Sequence, residues 1–218
     1  MFRFIKEIVD SFKEGVAEGK AELENERKVA CDIADNTVLK VKAQDGPTIE
    51  NLALALSCPF RSVLTSGVPM RLMEFGYLES GEVESLRKLL RRDFELNDGS
   101  DVSNVLDVLV EAHDEEDYMA RSVFLAGLSL YILTSAVDVG YLSFHEVEPL
   151  CREKLSFIST HVVSWQQFGL LFMEGECINN AIGRWFLRRG VRSLLEEDVS
   201  PWRIFLWESV SKVLDPMT

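Results

Sequence analysis

Histidine is scarce in this chain and cysteine is thinly spread: 3 of the 218 residues are His and 4 are Cys. Cys31, Cys58, Cys151 and Cys177 lie far apart with no C-x-x-C pair. That pattern excludes a dense disulfide framework and a zinc-ribbon type of site, and fits reduced thiols packed as small apolar groups. A long hydrophobic run is also lacking. An apolar stretch without charge covers residues 122–137 and is interrupted by Ser122, Ser129, Thr134 and Ser135, whereas a membrane span needs about 20 apolar residues. The run suits a buried core helix instead. Lys6, Glu7 and Asp10 arrive before any apolar run can develop, so the opening residues do not read as a secretory signal. With only 13 Gly and 6 Pro, and no repeat or low-complexity segment, extended disorder is not expected. These absences point to a cytoplasmic globular protein.

Catalytic signatures are missing as well. There is no G-x-S-x-G elbow, P-loop, G-x-G-x-x-G or H-E-x-x-H, and no cofactor motif. His113, His145 and His161 stand apart. A metal site on His113, Asp114 and Glu116 has neither calcium-loop nor transition-metal spacing behind it. No catalytic, cofactor or metal residue is assigned on this basis.

What is present is helical periodicity. Ile5, Ile8, Val9, Phe12 and Val16 recur at three-to-four-residue spacing, so residues 1–30 read as an amphipathic helix or docking arm. Residues 31–218 read as one helical domain. Residues 37–43 partly alternate and are the one candidate strand. A helix is expected from Ile49 to Leu56, with an irregular connection over residues 57–69, where Pro59, Gly67 and Pro69 fall. Ser80 is the expected N-cap of a helix buried through Val83, Leu86, Leu89, Leu90 and Phe94, which stops at Asn97, Asp98 and Gly99. Val102, Val105, Leu106 and Leu109 mark the buried stripe of the next helix. Ser143 and Glu146 have capping-box spacing, as do Ser164 and Gln167. Val147, Leu150, Cys151, Leu155 and Ile158 continue the face of the helix after the first box. The fold class is therefore all-α: a compact multi-helix bundle around a central apolar helix, with at most a minor strand or hairpin.

Three aromatic phrases punctuate the second half: Gly140-Tyr141-Leu142-Ser143, Ser164-Trp165-Gln166-Gln167-Phe168-Gly169 and Ser200-Pro201-Trp202, with Trp207 close behind. With Arg121 on the apolar helix and Gly175 beyond the second phrase, they resemble the bacterial family catalogued as domain of unknown function 1266. The likeness is sharpest over residues 121–207. It implies a bacterial intracellular protein and carries no agreed reaction. The phrases also have physical readings of their own: Gly140 allows a positive-φ turn, Ser143 and Ser164 cap helices, and Pro201 starts one.

Charge is unevenly placed. Net charge is −13, which argues against direct nucleic-acid binding. Residues 93–120 hold ten acids and no Lys or Arg, leaving 26 acids against 23 bases elsewhere. Such crowding repels itself, so it serves solubility or a basic partner. Asp107, Glu111, Asp114, Glu115, Glu116 and Asp117 are the candidate partner-binding residues. Two basic clusters, Arg87, Lys88, Arg91 and Arg92 and then Arg184, Arg188, Arg189 and Arg192, could answer them within the fold or between subunits of a homo-oligomer; phosphate binding is a further reading of the second cluster. The sequence thus favours an acidic protein-protein interaction module, such as an immunity protein neutralising a basic toxin. The alternative is an enzyme or small-anion-binding protein with a pocket around Arg121, Tyr141, Trp165 and Glu174.

Overall fold

A computed structural model describes residues 46–61, 73–76, 78–114, 118–178 and 181–214, with the backbone alone for 110–114. The expected amphipathic arm and the candidate strand lie outside the described residues. Within them the chain is all-α and no strand occurs.

Thr48 and Asn51 start α1 (Ile49–Arg61) by exchanging hydrogen bonds, each backbone amide donating to the other side chain at 3.0 and 3.2 Å. The helix runs past the expected end at Leu56 and takes in Ser57 and Pro59. Proline removes the amide that would bond the carbonyl four residues earlier, that of Ala55. The indole of Trp202 supplies the missing donor, Nε1 to Ala55 O at 2.8 Å, so the helix continues.

Helix α2 (Ser80–Phe94) is capped by Glu79, not Ser80: Glu79 and Glu82 form the capping box, the Glu79 amide donating to Glu82 at 2.9 Å. It buries Leu86, Leu89 and Leu90, leaves Val83 and Phe94 half-buried, and ends at Glu95 in the left-handed conformation, φ 57°. Asn97, Asp98 and Gly99 form the turn after it. Helix α3 (Asp101–Asp114) then buries Val102, Leu106 and Leu109.

Helix α4 (Met119–Asp138) is buried from Ser122 to Ala136 and is the centre of the fold, packed by α1, α3, α5 and α6. Its length and apolar composition would suit a membrane crossing; here protein surrounds it. It ends in a Schellman motif. The amide of Gly140 donates to Val137 O at 3.0 Å and that of Tyr141 to Ala136 O at 2.9 Å, with Gly140 at φ 75° as the left-handed residue.

Helix α5 (Phe144–His161) begins at the expected Ser143–Glu146 capping box, the Ser143 amide donating to Glu146 Oε2 at 2.7 Å. Its buried row is Val147, Cys151, Leu155 and Ile158. Leu150 departs from the expectation and is exposed, because one residue before Cys151 turns about 100° off that row. Helix α6 (Trp165–Glu174) is capped by Ser164, whose Oγ accepts from the Gln167 amide at 3.1 Å. The Gln167 side chain reaches back to the amide of Val163, at 2.8 Å, rather than to that of Ser164. Helices α7 (Ala181–Glu196), α8 (Pro201–Ile204) and α9 (Glu208–Leu214) complete the described chain.

Candidate functional site

The aromatic phrases converge in the core. Trp165 stacks on Trp202 with ring centroids 5.3 Å apart and meets Trp207 edge-on at 4.8 Å. Phe168 and Phe172 carry ring contacts onward to Phe124, Phe60 and Tyr131. Each of the three indoles also donates to a carbonyl outside regular helix bonding. Trp165 bonds Phe205 O at 2.7 Å and Trp207 bonds Val162 O at 3.2 Å, both at helix C-caps, while Trp202 bonds Ala55 O. An unpaired buried carbonyl costs free energy comparable to a lost hydrogen bond, so Trp165 and Trp207 seal helix ends, Trp202 closes the gap left by Pro59, and all three fill space. Ser200 is fully buried; its Oγ donates to Leu194 O at 2.6 Å and accepts from the Trp202 amide at 3.1 Å. Pro201 opens α8 at its first position.

Gly175 has a steric role. A β-carbon there would run into the carbonyl of Ala120 and lie 2.6 Å from the Arg121 amide nitrogen. The end of α6 therefore meets the start of α4 backbone to backbone. Arg121 is half-buried at this junction. Beside it the Tyr118 hydroxyl donates to Glu174, a bond that raises the tyrosine's pKa, with the nearby Arg121 charge working against the rise.

The pocket expected around Arg121, Tyr141, Trp165 and Glu174 does not bring its four residues together. Arg121 and Tyr141 lie at opposite ends of the 20-residue α4, about 30 Å of helix. Trp165 is buried in the indole cluster, and Tyr141 abuts Gly99, where a β-carbon would come within 2.6 Å of the Tyr141 carbonyl oxygen. Only Arg121 and Glu174 share a neighbourhood. Glu146 is engaged in its capping box, and Glu176 faces Arg184 at 3.8 Å.

Sequence reasoning missed the ion pair that is buried. Arg61 Nη1 lies 2.6 Å from Asp138 Oδ2, with side chains 3% and 1% exposed. Among the described residues Arg61 Nε, Asp138 Oδ1 and Arg87 Nε have no hydrogen-bond partner, and Arg87 Nη2 donates to Val139 O at 2.6 Å. Desolvation raises the Asp138 pKa, against the lowering effect of Arg61. Burial likewise holds Tyr131 protonated well above the usual phenol range. A signal was available: Arg61 and Asp138 carry opposite charges, and each closes an apolar run.

The acidic segment divides in two. Its first part is used locally. Asp93 pairs with Arg92 at 3.0 Å, and Asp98 and Asp101 accept from the amides of Ser100 and Asn97, each at 2.8 Å. The backbone and side-chain bonds from Asn97 hold the Asp101 pKa down. Farther on, Asp107 is exposed on α3 beside Val108, which is 64% exposed. Glu111 and Asp114 follow on the same helix, while Glu115, Glu116 and Asp117 lie outside the described residues. Among the described residues no group of three or more His, Cys, Asp or Glu side chains could hold a metal. The thiols of Cys58 and Cys151 are free and buried, and desolvation pushes both up to about 12. Comparison with family models, curated proteins and solved structures gives no match.

Proposed function

We propose that this protein is an acidic binding module that engages a basic protein through the outer face of α3, in the manner of an immunity protein covering a basic toxin. The observation that carries the reading is the division of α3. Val102, Leu106 and Leu109 are spent on the core, while Asp107 and Val108 face solvent in a segment with no Lys or Arg. A helix with such a face offers long-range attraction from its acids and a small apolar contact at close range. A cytoplasmic, bacterial setting, implied by the resemblance to the 1266 family, belongs to the same proposal.

The test is affinity capture from a bacterial extract at low salt, followed by association kinetics with the captured protein. A basic protein held by the native chain but lost to Asp107→Lys/Glu111→Lys, with an association rate that falls as salt rises, supports the proposal. Capture that ignores both the reversal and the salt removes α3 as the binding face.

A further inference from the structure

Helix α7 is built the opposite way to α3. Gly183, Leu187, Val191 and Leu194 form its buried row, packed toward α6, α1 and α8. Its outer side carries Arg184, Arg188 and Arg192 at four-residue intervals, with no acid before Glu196. Alongside runs a second row in which Ile182 is 45% and Trp185 53% exposed, and Arg189 stacks over the Trp185 ring with Cζ 5.3 Å from its centroid. Arg184 reaches Glu176 at 3.8 Å; Arg188 and Arg192 are exposed and make no ion pair among the described residues. A half-exposed tryptophan beside an arginine row, on a chain of net charge −13, has the composition of an interface anchor.

The complementary surface is on the same chain. Positions 107, 111 and 114 of α3 repeat at nearly the pitch of the arginine row, about 6 Å for four residues. Val108 stands beside the first acid as Trp185 stands beside the arginines. Within one molecule Asp107 makes no ion pair with these arginines, for α3 packs on α4 whereas α7 packs on α6, α1 and α8. We infer that the outer face of α7 docks onto the outer face of α3 in a second copy of this chain. Each copy offers one face of each kind, so the rotation between copies decides whether association closes into a symmetric pair or ring or extends as an open chain. The contact occupies the face proposed above for a basic partner, which would have to displace the neighbouring copy.

Sedimentation of the full chain across a salt series tests this. At low salt the native chain should associate in proportion to its concentration, and high salt should separate it. Arg188→Glu/Arg192→Glu and Asp107→Lys/Glu111→Lys should each weaken association by about tenfold or more, equivalent to about 1.4 kcal/mol. An equimolar mixture of the two variants should restore it, which also shows that both fold. A native chain monomeric at low salt overturns the inference. So does a mixture of the folded variants that stays monomeric, which denies the pairing of α7 with α3, or an α7 reversal that acts while the α3 reversal does not, which assigns α7 to a different acidic partner. The proposed function fails independently, because a basic protein on α3 depends on Asp107 and Glu111 but not on Arg188 or Arg192.

Discussion

At the scale of single residues, Arg61 and Asp138 form an ion pair withdrawn from water, with side chains 3% and 1% exposed. Two charges removed from water gain only a modest net stabilisation from each other, whereas one left alone is expensive. Arg61→Met should therefore cost about 3–5 kcal/mol, while Arg61→Met/Asp138→Leu should return to within about 1 kcal/mol of the native chain. Urea unfolding of the native chain, the two single variants and the double variant measures this, and additive losses would refute it. The raised Asp138 pKa sets a direction for pH. The native state holds this proton more tightly than the unfolded chain, whose reference value is 3.8. The carboxyl's contribution to stability is thus fullest below that value and declines as pH rises through the raised native one. Relative to Asp138→Asn, which mimics the protonated acid, the native chain should lose stability over that rise and then level off. A relative gain would mean that attraction to Arg61 outweighs desolvation.

Among the helices, what the sequence made legible was local. The Ser143–Glu146 box, the cap at Ser164 and the turn at Gly140 each depend on residues a few positions apart, and each forms. The end of α1 was misread because its cause lies elsewhere: Pro59 breaks a helix only when no other donor serves Ala55 O, and the donor is 147 residues away. This gives a second prediction. Trp202→Phe should cost roughly 1–3 kcal/mol from the unpaired carbonyl, in addition to the lost packing. Adding Pro59→Ala, which returns an amide to the helix, should recover part of that loss. A double-mutant cycle with coupling below about 0.5 kcal/mol would deny that the indole replaces the proline's missing bond. The binding faces proposed on α3 and α7 were half legible. Composition located the charges, but only packing reveals that Asp107, Val108 and Trp185 are turned outward.

Over the whole molecule, a net charge of −13 must be held around one apolar core. Self-repulsion of that kind acts over the Debye length, about 30 Å at 0.01 M salt and about 8 Å at 0.15 M. Thermal melts at neutral pH, at concentrations too dilute for self-association, should therefore shift upward across that range, by more in the native chain than in Asp107→Lys/Glu111→Lys. A melting temperature that falls with salt would show that attractive pairs dominate. The Trp202 bond has a last consequence, for synthesis. Translation from the N-terminal side presents α1 long before Trp202 exists, so the carbonyl of Ala55 and the apolar side of α1 wait while every helix between them is made. Until that indole arrives the apolar side of α1 is exposed to the kind of contact that chaperones recognise, and a chain truncated before Trp202 should be more readily proteolysed than the full one.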